Sequence, residues 1–332
     1  MDEIAHKRAP LAEDAPLEKM LQAYRQHSSI TDPGVYADCF QNLPHDIGEL
    51  IDLIGSVMGH YERDIEGTGY ILPPERLPDL DARSIEKILS RIFALNPQPL
   101  VEGRPLEQRF MSVCRDACLM LCSILRSQGV PARVRYGFAY MLHQKNKPMA
   151  DHVFVEYYVQ SEKRWKLTDG RLHRVLCETY KIEVDRVDIP TEYFINPSDA
   201  WLKAQENQKF ASRLSGLKFN PVFGLWKTRN LLMYDLASLS GYEPLLWDAW
   251  GYILWDKEIT RPSDFYGLLQ YRPLNKIARL DPRDPQQWQH MLTLIQRNRH
   301  LRLPKIIKNC SHITGDSLVA VEQKKMLAAS TK

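Results

Sequence analysis

One stretch constrains this chain more than any other: Val113-Cys114-Arg115-Asp116-Ala117-Cys118-Leu119-Met120-Leu121-Cys122-Ser123-Ile124-Leu125-Arg126, closed by Gly129 and Pro131. Its spacing predicts a single helix with a thiol in the first turn and mostly apolar residues after it, stopped by a glycine and then a proline. Two β-like segments follow, Ala132 to Tyr140 and His152 to Gln160, then a polar turn at Ser161-Glu162-Lys163 and a third segment, Arg164 to Thr168. The β-branched and aromatic residues between turn signals predict a helix followed by an antiparallel meander, an α+β arrangement.

That order carries chemistry. Backbone N–H groups left unpaired at a helix N-terminus, together with the helix dipole, stabilise a thiolate and can bring a cysteine pKa from about 8.5 to roughly 3.5–7.5. Cys114 holds that position. His152 opens the second expected strand and Asp169 closes the third, and antiparallel pairing brings the start of one strand beside the end of the next. A helix start packed on that edge would line up thiol, imidazole and carboxylate. The thiolate attacks a carbonyl carbon, the imidazolium later protonates the leaving amine, and the carboxylate fixes the imidazole tautomer.

Cys114-Arg115-Asp116, Leu125-Arg126-Ser127-Gln128-Gly129-Val130-Pro131-Ala132-Arg133, Gly137-Phe138, Asp151-His152 and Trp165-Lys166-Leu167-Thr168-Asp169 together resemble the core of transglutaminase-like proteins. The resemblance implies a papain-like fold, a helix carrying the cysteine packed on an antiparallel sheet, with Cys114, His152 and Asp169 as the catalytic triad. It is specific from Arg104 to Asp169 and extends more weakly to Gly251. That outer part is similar to a bacterial branch, through Arg229-Asn230-Leu231-Leu232, Asp235-Leu236-Ala237, Glu243 and Trp247-Asp248-Ala249-Trp250-Gly251. The chain departs from the family at Ser112-Val113 before the cysteine, where small or amide residues are common, and at Val153, where an aromatic often follows the histidine. The activity implied is acyl transfer or hydrolysis: Cys114 takes an acyl group from an amide, peptide or thioester and passes it to an amine or to water. A cysteine peptidase or an amide synthase fits the same residues, and a silent scaffold on the same fold is the reading from another class.

With 332 residues and 44% hydrophobic content, the chain can bury a sizeable core, and a net charge of +3 points to neither nucleic acid nor anionic membrane as a partner. The basic run Arg297 to Lys308 is interleaved with Leu301, Leu303, Ile306 and Ile307 and reads as a surface segment. No apolar stretch reaches membrane-spanning length, and the first residues, Met1 to Arg8, lack the apolar centre of a secretory signal. Six cysteines spread along a long chain argue for reduced thiols and a cytoplasmic setting. Cys118 and Cys122, four and eight residues after Cys114, share its helical face and read as small buried hydrophobes rather than ligands. Cofactors are not expected: there is no glycine-rich phosphate loop and no His-Glu-x-x-His motif. The expected partners are an acyl donor and an amine acceptor.

Around the core, residues 1–100 read as a helical lead-in, 101–190 as the catalytic unit, 191–310 as a helical, aromatic-rich cap and 311–332 as a tail. A flexible, proline-containing start leads to a short helix near Leu17 to His27. Asp46, with Glu49 three residues on, opens a helix with an apolar stripe from Ile47 to Met58. The linker Gly67 to Asp79, with Pro73, Pro74 and Pro78, is expected to be non-helical. A helix carrying Ile85, Ile88, Leu89, Ile92 and Phe93 ends near Asn96-Pro97. In the cap, Trp201, Trp226, Trp247 and Trp250 are expected to anchor it, with Lys227, Arg229, Asp235, Glu243 and Asp248 on its rim, and a compatible reading makes the cap one wall of the substrate cleft. Asp284-Pro285 starts a helix to about Arg299. Ser311 onward shows no period, and the last ten residues are expected to be loosely held. Gln108, six residues before Cys114, is the candidate side-chain donor for the oxyanion, beside the N–H of Cys114; its alternative is an exposed polar residue on the approach loop.

Overall fold

The computed structural model describes residues 15–66, 68–139, 149–216, 224–254 and 270–322. The expectations on Gly67, Tyr140, the residues before 15 and the last ten lie outside the described residues.

Helix α1 (Ala15–Arg25) begins the described chain, two residues before the expected start. Asp46 caps α2 (Ile47–Val57) by accepting from the Glu49 N–H at 2.9 Å, and the apolar stripe behind it is buried at Leu50, Ile51, Ile54 and Val57. Strand β1 (Met58–His60) follows directly. The proline linker departs from expectation: Pro74–Asp81 is a 3₁₀ helix, opened by Pro74 in its first turn and by an Arg76 N–H to Pro73 carbonyl bond of 2.9 Å. Proline is tolerated there because the first N–H groups of a helix have no internal acceptor. Ser84 caps α3 (Ile85–Leu95), which stops at Asn96. Strand β2 (Phe110–Ser112) then runs parallel to β1, with His60 opposite Ser112, and leads into α4 (Cys114–Ser127).

Every residue of α4 from Cys114 to Arg126 is buried, and α1, α2, α3 and the sheet all pack on it. A helix enclosed on all sides needs apolar residues around its whole circumference, which is what Leu119, Met120, Leu121, Ile124 and Leu125 provide. Each such side chain stabilises the fold by about 1.5–3 kcal/mol through burial.

The meander forms as β3 (Ala132–Ala139), β4 (Met149–Val159) and β5 (Arg164–Thr168), antiparallel and adjacent. His152 is the fourth residue of β4 rather than its first. Helix α5 (Arg174–Tyr180) follows, then β6 (Phe194–Ile195), which completes the sheet order β5-β4-β3-β6. Successive β4 side chains serve two cores: Val153, Val155 and Tyr157 pack with α4, while Phe154 joins Leu167, Leu172 and Phe194.

Beyond it lie α6 (Pro197–Glu206), α7 (Gln208–Ala211), β7 (Leu214–Ser215), which extends β4 at Met149–Ala150, and α8 (Gly224–Leu239). Strand β8 (Asp248–Ala249), α9 (Arg272–Ile277) and α10 (Pro285–Arg297), capped by Asp284, come next. The segment from Ser311, which shows no period in the sequence, contributes to a hairpin, β9 (Ile306–Ser311) and β10 (Gly315–Ala320), paired on to β8.

The aromatic anchors of the cap are buried at Trp201, Trp247 and Trp250, but its charges are not on a rim. Lys227 pairs with Asp151, Asp235 takes two bonds from Arg135 at 2.9 Å, Arg83 holds Asp248 at 2.7 and 2.8 Å, and Arg229 donates to the Tyr271 hydroxyl at 2.9 Å. Glu243 accepts from Ser28 Oγ at 2.6 Å and faces Arg126 at 3.4 Å. A buried charge is tolerated only when paired, and each of these groups has found its partner outside the cap's own sequence or across its turns.

Candidate active site

Cys114 is the first residue of α4, so its N–H has no intrahelical carbonyl to meet. Asp116 fixes this start. Its Oδ2 accepts from the Val113 N–H at 3.0 Å and its Oδ1 from Arg115 at 3.0 Å, and Arg115 in turn donates to the carbonyls of Ala82, Arg83 and Glu243 at 3.2, 2.6 and 2.6 Å. Burial pushes the Asp116 carboxyl up, against the pull of Arg115.

The structure brings together the three residues singled out in the sequence. His152 Nε2 lies 2.7 Å from Asp169 Oδ2, and Cys114 lies close enough to the imidazole to bear on its charge. Asp169 follows directly on the last rung of the β4–β5 ladder, Val155 with Thr168. Burial works against the charged imidazole, but the Asp169 carboxylate and the Cys114 sulfur outweigh it and raise His152 to about 10. For Asp169, burial raises the carboxyl, and His152 together with the Arg171 N–H brings it down below its ordinary value.

Further residues hold this group that were not singled out for that role in the sequence. Arg171 donates its N–H to Asp169 Oδ1 at 2.8 Å and grips Asp64 with its guanidinium at 2.9 and 3.2 Å. Asp64 accepts from the His60 N–H at 2.7 Å, and the His60 ring stacks on Tyr61 with centroids 5.3 Å apart. Cys118 is more than a buried hydrophobe: its Sγ donates to the Val153 carbonyl at 3.1 Å and reaches Asp169 Oδ1 at 3.5 Å. The four-residue spacing from Cys114 was the only signal for that contact; a three-residue β1 and the loop after it give none. Gly170 completes the seating. A side chain there would stand 2.5 Å from the Ala117 carbonyl oxygen, so only glycine lets the turn after Asp169 rest on the α4 backbone.

Gln108 does not join the group. It lies exposed at the end of a 3₁₀ turn, Leu106–Gln108, and its Oε1 accepts from Asn96 Nδ2 at 2.7 Å. Its exposure, and an amide oxygen held by Asn96, fit the alternative reading of a polar residue on the approach loop.

The other five thiols are all pushed up by burial, Cys39 and Cys122 to about 12. Among the described residues no group of three or more His, Cys, Asp or Glu side chains is placed to hold a metal ion, and no helix is long and apolar enough to cross a membrane.

A helix that starts on a buried thiol, set against an antiparallel sheet carrying an imidazole paired to a carboxylate, is the arrangement of papain-like cysteine enzymes. Residues 101–169 match the transglutaminase-like superfamily, the match ending on Asp169 itself. No curated protein and no solved structure matches the chain significantly.

Proposed function

We propose that the protein is a transglutaminase-like cysteine acyltransferase or amidohydrolase, with Cys114 as nucleophile, His152 as general base and acid, and Asp169 as the group that orients His152. The observation that carries this reading is the 2.7 Å contact of His152 Nε2 with Asp169 Oδ2, beside a helix that starts on Cys114. The reaction starts from a Cys114 thiolate with the proton on His152. Sulfur attacks the carbonyl carbon of an amide, peptide or thioester, and the π pair moves to oxygen. Collapse breaks the bond to the leaving group, which departs with the His152 proton as an amine or a thiol, and leaves an acyl-thioester on Cys114. His152 then removes a proton from an incoming amine or water, which releases the acyl group and restores the thiol pair. The weaker resemblance out to Gly251 supports a place in a bacterial branch, and six cysteines outside any disulfide support a cytoplasmic setting.

Intact-mass analysis after incubation with glutamine peptides, small peptides and thioesters tests the reading. An acyl adduct is expected on the protein and lost in Cys114→Ala. Absence of a Cys114-dependent adduct across all three donor classes would favour a scaffold that keeps the fold without turnover.

A further inference from the structure

The three site residues come from two separate sheets. Cys114 follows β2, which pairs with β1, whereas His152 lies on β4 and Asp169 follows β5. One ion pair joins the two parts. Asp64 closes the turn after β1: its N–H bonds the His60 carbonyl at 3.1 Å, and its Oδ2 accepts from the His60 N–H at 2.7 Å. His60 stands opposite Ser112, two residues before Cys114. The Tyr61 N–H bonds the Ser112 carbonyl at 3.2 Å and Ser112 Oγ donates to the Gly59 carbonyl at 3.0 Å, so the turn is tied to the strand that delivers the nucleophile. On the other side, the Arg171 N–H holds Asp169 Oδ1 at 2.8 Å while its guanidinium meets Asp64 at 2.9 and 3.2 Å.

We propose that Asp64 and Arg171 are positioning residues: their ion pair clamps the nucleophile strand to the turn after β5 and, through the Arg171 N–H, keeps the Asp169 carboxylate on His152. The effect on turnover rests on the acyl-enzyme reading, and both residues lie outside the matched segment 101–169.

A guanidinium that meets a carboxylate through two bonds fixes direction as well as distance. The Arg171 and Asp64 side chains are only 7% and 12% exposed, so salt screens their attraction little. Asp169 has both oxygens engaged, Oδ2 with His152 and Oδ1 with the Arg171 N–H and Cys118, and a shift of the Arg171 backbone therefore turns the whole carboxylate. Bonds from the Leu172 N–H to the Asp169 carbonyl at 3.0 Å and from the His173 N–H to the Arg171 carbonyl at 2.8 Å shape this turn. The pair with Asp64 orients it against β1. The titratable and charged groups bearing on the arrangement come from three places: Cys114 and Cys118 on α4, His60 and Asp64 at β1, and Arg171 and His173 after β5.

Clamp and charge effects differ in sign. Loss of Asp64 leaves a cation unbalanced and loss of Arg171 an anion, so charge alone moves the His152 imidazole in opposite directions. A lost clamp moves it downward in both, because Asp169 drifts from the ring. Asp64→Asn, Arg171→Gln and the double variant, each in the full chain, are compared by nitrogen-detected NMR titration of the imidazole and by acetylation of Cys114 with p-nitrophenyl acetate. In that reaction the S–C bond forms and p-nitrophenolate leaves with the ester C–O pair. Both single variants are expected to titrate about one unit below the native ring and to acetylate roughly tenfold more slowly. The double variant should be no worse than the poorer single one, since one clamp is lost only once. An unmoved imidazole in the single variants, shifts of opposite sign, or losses that multiply in the double variant would each overturn the proposal. Should a single variant unfold, Arg171→Lys carries the test: it keeps the charge but not the fork, and a smaller downward shift is expected, whereas native titration and rate would overturn the clamp. The titration needs no turnover. A clamp-dependent shift in a protein never acetylated at Cys114 would sink the acyl-enzyme reading and leave the clamp standing.

Discussion

Burial by itself would strip the proton from His152; the Asp169 carboxylate, with a smaller contribution from Cys114, reverses that and sets the pH range in which the site is assembled. The sign follows from linkage. A group raised from its ordinary value of about 6.5 to about 10 contributes its full stability below the lower value and loses it as pH rises through the upper one. Asp169 works in the opposite direction: its contribution is present above the ordinary carboxylate range and is lost as pH falls through its lowered folded value. Asp169→Asn removes the larger of the two attractions on the imidazolium. Its Oδ1 can still accept from Arg171 and Cys118, so the fold should hold. The imidazole should titrate well below 10, and turnover should drop by three to four orders of magnitude, roughly as when a triad carboxylate becomes an amide that favours the wrong tautomer. Nitrogen-detected NMR of the imidazole reads the first effect and acylation kinetics the second. An unchanged titration would remove Asp169 from the site.

At the scale of elements, the decisive contact is backbone against backbone, where the turn after Asp169 meets α4 at Ala117 and Cys118. Gly170→Ala forces those apart. The expected cost is about 1–3 kcal/mol, as for other overpacked sites, with a larger loss of activity because Asp169 is carried away from His152. Thermal unfolding and Cys114 acylation measured on the same sample would show the two effects; a fully stable and active variant would mean that the turn can shift without consequence. This element is also where the sequence was most readable. The helix start at Cys114, the stop at Gly129 and the strand Arg164–Thr168 are marked by local period and turn residues, which act within a few positions. β4 was legible only in part, because its first residues, Met149 and Ala150, are extended by pairing with Leu214 and Ser215, far along the chain. The charges of α8 misled for the same reason: Lys227 and Asp235 look like surface groups until Asp151 and Arg135 are placed beside them. Strands of two or three residues such as β1 and β6 are too short to show a period, and with β1 went Asp64.

Over the whole molecule, buried ion pairs tie distant segments into one body. Glu156 on β4 is the densest node: Arg133, Arg135 and Arg283 all pair with it, and its carboxyl is held far below the usual range, burial notwithstanding. Arg133 also lies over the rings of Tyr24 and Trp165, at 5.0 and 4.2 Å, so α1 is attached to the same node. Glu156→Gln leaves buried arginines short of their counter-charge and should cost about 3–5 kcal/mol in denaturant unfolding. Because the folded value is depressed, the native carboxylate contributes fully above the ordinary glutamate value of about 4.5 and loses that contribution only as pH falls well below it. The variant should therefore show a shallower fall of stability on acidification than the native protein, and an identical acid limb would count against the assignment. A different consequence attaches to Arg115, whose guanidinium, next to the nucleophile, is completed by the Glu243 carbonyl, 128 residues later. Translation at about 5–20 residues per second separates the two by roughly 6–25 s. From the synthesis of Asp169 onward, for roughly the last 4–15 s of that interval, the nascent chain holds every member of the proposed triad while the helix beneath the thiol still lacks its last acceptor. The order of synthesis thus delays the assembled nucleophile until Glu243 has been made.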